Sequence, residues 1–279
     1  MIRIITDSAS DIDLCDAAAL GVTVLPMQIQ IGEKTYRDRY DISADDFYRM
    51  LIENDTLPKT SQINPFTFEE EYKKASADGD PVLVIVMSSE LSGTYQSAVT
   101  AASEYENIYV VDSLNVTIGE QCLIRLALKY REQGMTAPEI AAALDRDKGR
   151  IAVIALLDTL EYLKKGGRIS AASAFVGNLL TIKPVVGIRD GKVAVIGRAR
   201  GSKNGNNMLM ELIRDGGIDF ELPLLLGYSG LDITMLEKYA EDSRAIYDGH
   251  ISELEKIQIG STIGTHAGPG AIAAAFFRP

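Results

Sequence analysis

The chain has 279 residues, 46% apolar and 24% charged, and its 28 Lys and Arg against 39 Asp and Glu give a net charge of −11. This length accommodates one large or two ordinary domains, and the acidic balance argues against nucleic acid or an anionic membrane surface as the main partner. Two cysteines predict no disulfide framework, two histidines exclude a His-rich metal site, and the absence of an apolar run near 18 residues or of a signal peptide makes the cytoplasm the expected compartment.

In chain order, Ile2 to Ile5 reads as a buried strand ending in Thr6-Asp7-Ser8-Ala9-Ser10-Asp11, with Asp11 placed to cap a helix over Ile12–Leu20 that Gly21 stops. Val22 to Ile31 is apolar and β-rich, with Pro26 forcing an edge or a bulge at its middle. Tyr36 to Asp41 reads as charged loop, and Ser43 as the cap of a helix through Asn54. Lys59-Thr60-Ser61-Gln62 is a hydroxyl-rich turn, and Thr67 with Glu70 forms a capping box for a helix to about Ala75.

The run from Val82 is aliphatic and β-branched, as suits a strand buried on both faces of a parallel sheet. It changes abruptly at Ser88-Ser89-x-x-Ser92-Gly93-Thr94 into a helix with Tyr95, Ala98, Val99 and Ala102 on one stripe. A strand that runs out through a Ser/Gly turn into a helix is where open α/β sheets gather ligands. The plain alternative is that Ser92 only caps the helix. Ile108 to Val111 is a further short strand, Thr117 with Glu120 opens a helix to Glu132 in which Cys122 is core, and Thr136, Pro138 and Glu139 open the next. Alternating strands and helices with crossovers predict a doubly wound parallel sheet.

From residue 151 the texture changes. A strand over Ile151–Leu157 is followed by a short helix capped by Asp158, a basic Lys164-Lys165-Gly166-Gly167-Arg168 stop, and a small-residue helix over Ala171–Leu180. Asp190-Gly191 between two apolar runs predicts a hairpin, hence a mixed sheet and a second domain, with the boundary placed at 150/151. Gly201 to Asp215 is helical, Leu222–Tyr228 a strand, Asp232–Arg244 a helix and Ile257–Ile263 a strand, followed by a Gly/His loop over 260–270 and a small apolar tail.

No phosphate-binding loop and no nucleophile elbow is present. A Ser-His-acid triad would have to use His250 or His266, and Ser92 with His266 is the pairing the sequence permits. What remains is three hydroxyl-rich segments (6–10, 60–62 and 88–94) and the loop around His266. Hydroxyls and backbone N–H groups can hold a carboxylate, a phosphate or a carbonyl without a covalent step.

Four segments together resemble the DegV family of bacterial lipid-binding proteins: Thr6-Asp7-Ser8-Ala9-Ser10-Asp11, Lys59-Thr60-Ser61-Gln62, Ser88-Ser89-x-Leu91-Ser92-Gly93-Thr94-Tyr95, and Gly264-Thr265-His266-x-Gly268-Pro269-Gly270-Ala271. Leu160-Glu161-Tyr162-Leu163-x-x-Gly166-Gly167-Arg168-Ile169-Ser170 and Ile182-Lys183-Pro184 match as well, in the same order along the chain. The resemblance implies two α/β domains, an N-terminal parallel α/β/α sheet over 1–150 and a C-terminal mixed-sheet domain over 151–279, with a long-chain fatty acid buried in a tunnel. It implies a carboxylate held by Thr60 and Ser92, with Ser61, Gly93 and Thr94 adjacent. His266 and Arg168 would belong to the face that meets a separate, dihydroxyacetone-kinase-like fatty acid kinase, whose acyl phosphate product enters phospholipid synthesis. The chain itself would then be neither an enzyme nor dependent on a metal or cofactor, and would make no stable membrane insertion. The family usually has proline soon after Thr-Ser-Gln, whereas here Ile63-Asn64 precedes Pro65, which bears on the pose of Thr60.

Burying about 15 methylenes at ~0.8 kcal/mol each gives ~12 kcal/mol gross, before the ligand is ordered. Two hydrogen bonds to a charged head add ~1.5–3 kcal/mol each, so the tunnel dominates affinity and the hydroxyls position the ligand. Met27, Phe175, Leu179 and Ile272 are the expected linings. The competing readings are a serine hydrolase or acyltransferase using Ser92 and His266, and a regulatory module for another apolar carboxylate.

Overall fold

A computed structural model describes residues 1–53, 56–169 and 182–279. The first part of the chain runs β1 (Arg3–Asp7), α1 (Leu14–Leu20), β2 (Val22–Leu25), β3 (Gln28–Ile31), β4 (Lys34–Arg37), α2 (Ala44–Glu53), β5 (Lys59–Ser61), α3 (Pro65–Ala75), β6 (Val82–Val86), α4 (Thr94–Ala102), β7 (Ile108–Asp112), α5 (Thr117–Glu132) and α6 (Ala137–Asp147). It continues with β8 (Ile151–Leu156), α7 (Glu161–Lys165), β9 (Ile182–Arg189), β10 (Lys192–Arg200), α8 (Gly201–Gly216), β11 (Leu225–Tyr228), α9 (Thr234–Asp242), α10 (Arg244–Tyr247), β12 (Lys256–Gln258), α11 (Ser261–Ala267) and β13 (Ile272–Phe277).

The architecture is α/β with a parallel and a mixed sheet. A four-stranded parallel sheet has the order β2-β1-β6-β7, and a six-stranded mixed sheet the order β10-β9-β8-β13-β11-β12. A small antiparallel sheet, β4-β3-β5, stands apart from both. The parallel sheet is buried on both faces, which is why its strands read as continuous apolar runs. Ile4, Leu83 and Ile85 face α5, while Ile5, Val82, Val84 and Val86 face the side of α3 and α4. Helix α5 is buried over most of its length because it lies between the two large sheets, and the core on its far side is built from Ile151, Val153, Ala273, Ala275 and Phe277.

Several local expectations are replaced. Asp13, not Asp11, caps α1 by accepting from the Cys15 amide, and Asp11 sits in the left-handed region at φ 58° with its carboxylate turned into the interior. The run Val22 to Ile31 is two strands in two different sheets, divided at Pro26. Tyr36 belongs to β4 rather than to a loop. Residues 59–61 are not a turn but an edge strand pairing with β3. Asn64, not Thr67, caps α3, with Pro65 in its first turn. Thr117 and Glu120 make no capping box, because both side chains are spent on buried partners described below. The Glu161 amide is capped by Thr159, while Asp158 pairs with Lys183.

The largest differences lie near the C terminus. Residues 261–267 form a helix where a strand and a glycine loop were expected, and the apolar tail is β13, a central strand between β8 and β11. Glycine and alanine hide both signals. Gly264 lets α11 lie against α2, since a Cβ there would fall 2.5 Å from the Tyr48 hydroxyl, and the alanines of β13 let α5 approach the sheet. The Asp190-Gly191 hairpin is as expected, with both residues at positive φ. The helix expected over Ala171–Leu180, with Phe175 and Leu179, and the end of the helix expected at Asn54 lie outside the described residues.

Candidate functional site

Between α11, β5, the start of α4 and the six-stranded sheet lies a cavity of about 900 Å3, its open mouth included. Its walls are aliphatic: Met27, Met87, Leu91, Leu157, Leu163 and Val186 are examples. No Asp or Glu is among the described residues that line it, and Arg168 carries its one formal charge. Met27 lines it as expected. Ile272 does not, because alternation along β13 sends Ala271 and Ala273 to the cavity and Ile272 to the opposite face.

The polar groups converge at one end. Strand alternation turns Thr60 inward, opposite Ile29, while Lys59 and Ser61 on either side are exposed. Thr60 Oγ1 lies 3.0 Å from His266 Nε2. The helical spacing of Thr262, Ile263, His266 and Ala267 puts one face of α11 on the cavity. Ser92 lines the same end; its Oγ is 2.9 Å from Thr94 Oγ1 and accepts from the Thr94 amide at 3.3 Å. Thr94 is fully buried behind it, and its Oγ1 accepts from the Ile63 amide. Gly93 faces Gln62: a Cβ would fall 2.1 Å from Gln62 Oε1, and the Gln62 amide donates to Ser97 Oγ at 3.1 Å. That contact locks β5 to the start of α4 and so fixes Thr60 relative to Ser92. Arg168 donates to the carbonyls of Gly166 and Leu91.

Thr60, Ser92, His266 and Arg168 are therefore brought together at the cavity, with Gln62, which sequence reasoning did not single out. Gly93 and Thr94 stand behind this group, and Ser61 points away from it. Burial and the neighbouring Arg168 guanidinium push the His266 imidazole down to about 4, so it is neutral at pH 7. Its Nδ1 is buried with no hydrogen-bond partner among the described residues, in space kept open by Gly166, where a Cβ would fall 2.2 Å away. Ser92 bonds to Thr94 and His266 to Thr60, so no described contact joins Ser92 to the imidazole as a nucleophile–base pair would require.

A second polar cluster lies behind the cavity. Asp7 accepts from the amides of Met87 and Ala9, at 2.9 and 2.8 Å. Asp11 accepts from Thr117 Oγ1 at 2.6 Å, from the Gly260 amide at 2.8 Å and from Arg39 at 3.0 Å. Asp38 accepts from Ser8 and Thr262 hydroxyls, and Glu120 from Thr6. Burial pushes Asp7 up to about 7 against its two amide bonds, and raises Glu120 well above the usual carboxylate range, with Asp7 nearby adding to it. Gly260 and Thr262 begin α11, so this cluster anchors the helix that carries His266. The hydroxyl-rich segment 6–10, expected beside a ligand, supplies part of this cluster instead, Thr117 and Glu120 were expected only to open a helix, and Asp38 and Arg39 gave no signal. Among the described residues no group of three or more His, Cys, Asp or Glu is arranged to hold a metal, and no helix is long and apolar enough to cross a membrane.

Fold and site together define an α/β protein with a buried apolar cavity that is polar at one end. The chain belongs to the DegV family: a family model described as "Uncharacterised protein, DegV family" matches residues 1–278. A DegV domain-containing protein of Caldanaerobacter subterraneus is 35% identical over 99% of this chain and 98% of its own length, and one of Deinococcus radiodurans is 34% identical over 98% and 97%. Among solved structures, the fatty-acid-binding DegV family protein from Thermus thermophilus superposes with a TM-score of 0.89 at 31% identity, covering 100% of this chain and 99% of that one. A stearic acid-binding protein from Eubacterium ventriosum gives 0.87 at 25% identity, covering 100% and 98%.

Proposed function

We propose that this chain binds a long-chain fatty acid in the cavity, with the carboxylate at the Thr60–Ser92 end and the acyl chain along the aliphatic walls. The observation that carries the reading is the distribution of polarity: an apolar cavity without a lining carboxylate, whose hydroxyls, neutral imidazole and single cation meet at one end. The fatty-acid ligands of the Thermus thermophilus and Eubacterium ventriosum relatives support it. Thr60 and Ser92 donate to the carboxylate, Arg168 supplies charge, and Gly93 and Thr94 hold Ser92 in place. We further propose that the chain acts without catalysis of its own, as two domains divided near residue 150, and presents the carboxylate to a dihydroxyacetone-kinase-like partner for acyl phosphate formation in phospholipid synthesis.

The test is mass spectrometry of the purified protein, native and then extracted with organic solvent. A near one-to-one long-chain fatty acid is the expected result. A protein that arrives empty and takes up no added fatty acid would overturn the reading. For the kinase role, the Thr60→Ala/Ser92→Ala variant, loaded to saturation, is expected to lose phosphorylation by the partner kinase; undiminished phosphorylation would remove these residues from the head-group site.

A further inference from the structure

The acyl cavity meets a second cavity at a fork in the six-stranded sheet. Strands β8 and β9 pair only over Ile154↔Gly187, Ala155↔Val186 and Leu156↔Val185. One residue earlier on β8, Val153 is paired with Ala275 of β13 on one side and with no residue of β9 on the other. Ile188 of β9 is paired outward to Val193 of β10. The strands part there, and a cavity of about 1380 Å3, its open side included, occupies the gap. Val153, Gly187 and Ile188 line both cavities.

The position of this fork relative to the head-group end follows from strand geometry. Leu157 packs with Leu160, Leu163 and Ile169 beside Arg168, and Val153 stands four residues away along the same face, roughly 13 Å at ~3.3 Å per residue. Val153 cannot retreat from the cavity, because it is wedged on α5, where a Cβ on Gly119 would fall 2.3 Å from its Cγ2. The place a Cβ on Gly187 would take is met by the Val153 carbonyl at 3.1 Å and by Ile196 Cδ1 at 3.2 Å, so Val153 and Ile188 are the two side chains common to both cavities, with Ile196 behind them on the far side. The far side is lined by Lys148, Arg189, Asp190 and Asp215 together with Ile154, Ile196, Leu212 and Phe276, so an acyl chain pushed through would leave an apolar cavity for one that also carries charged groups.

We propose that Val153 and Ile188 set the length of acyl chain this protein accepts: the terminal methyl of the preferred ligand abuts them, and longer chains are rejected at the fork. The proposal rests on the fatty-acid reading above. It is tested by loading the full chain with an equimolar mixture of saturated acids from octanoic to eicosanoic and measuring the bound distribution by mass spectrometry. Val153→Ala is expected to move the maximum up by about two carbons and Val153→Leu to move it down, with the ratio of adjacent homologues changing about tenfold. Should Val153→Ala not fold, Ile188→Val, at a half-buried position, is expected to shift the distribution upward by a smaller amount. Variants that load with the wild-type distribution would overturn the gate while leaving fatty-acid binding intact. A wild-type protein that loads none of the acids would overturn both.

Discussion

The two polar regions beside the cavity use similar residues in opposite proportions. At the head-group end, Thr60, Ser92, His266 and Arg168 meet without a lining carboxylate. Behind it, Asp7, Asp11, Asp38 and Glu120 are matched by Thr6, Ser8, Thr117, Thr262, Arg39 and backbone amides. A buried anion must be paired, hydrogen-bonded or neutralised. The second region meets that demand in part by hydrogen bonds and in part by burial that pushes Asp7 and Glu120 toward their neutral forms, with Asp38 Oδ1 and Glu120 Oε2 left without a partner among the described residues, and it ties β1, α5 and α11 together. The first supplies donors and one cation to an anion that arrives from outside. Hydroxyl content alone does not separate a binding site from a structural joint; the balance of donors against acceptors does.

The contrast is broken most severely by removing the cation of the structural region. The Arg39 side chain is 9% exposed and its partner Asp11 1%. Arg39→Met leaves a buried carboxylate without its counter-charge and is expected to cost about 3–5 kcal/mol in urea unfolding. A cost below about 1 kcal/mol would mean that the hydroxyl and amide bonds to Asp11 suffice.

Titration sharpens the comparison because the two regions carry opposite signs. Asp7 rises on folding from 3.8 to about 7, so its contribution to stability is complete below pH 3.8 and is lost as the pH rises through 7. His266 falls from 6.5 to about 4, so its contribution is complete above pH 6.5 and is lost as the pH falls toward 4. Asp7→Asn should therefore make the slope of stability against pH more positive between 3.8 and 7. His266→Gln should make it more negative between 4 and 6.5. Each change is bounded by about 1.4 kcal/mol per pH unit. Shifts of the same sign in both variants would refute the assignment of one group as held protonated and the other as held neutral.

At the head-group end the effect belongs to the ligand rather than to the fold. Thr60→Ala and Ser92→Ala are each expected to weaken fatty-acid binding by about 1.5–3 kcal/mol, since each removes a hydrogen bond to a charged group. Unfolding of the ligand-free protein should change by less than about 1 kcal/mol. Equal losses in stability and affinity would show that the two hydroxyls belong to the structural network instead.

How far these regions could be read from sequence depends on what kind of residue builds them. The parallel strands were legible because burial on both faces writes an unbroken apolar run, and the hairpin because Asp190-Gly191 suits the left-handed conformation its turn adopts. Thr60 and Ser92 were legible as members of hydroxyl-rich segments. Helix α11 and strand β13 were not, because close packing demands glycine and alanine there, and those residues carry no periodic signal. The Asp11–Arg39 pair was illegible for another reason: it joins a loop to a turn 28 residues away, and no local periodicity ties the two segments together. The inward direction of Thr60 rather than Ser61 is likewise fixed only by the register of β5 on β3.

That register gives the finest test. Ser61 shares the Thr-Ser-Gln segment with Thr60 and has the same hydroxyl chemistry, yet it pairs with Gln28 on the exposed face of the small sheet. Ser61→Ala should change neither fatty-acid affinity nor stability by more than about 0.5 kcal/mol, the ordinary range for a surface substitution. A loss of affinity comparable to that of Thr60→Ala would require β5 to slip by one residue when ligand binds, because a one-residue slip is what exchanges the two faces of a strand. Hydrogen exchange at the Gln28–Gln30 amides with and without fatty acid would then distinguish the slip from an indirect effect: re-paired amides change protection, whereas a strand held in its register does not.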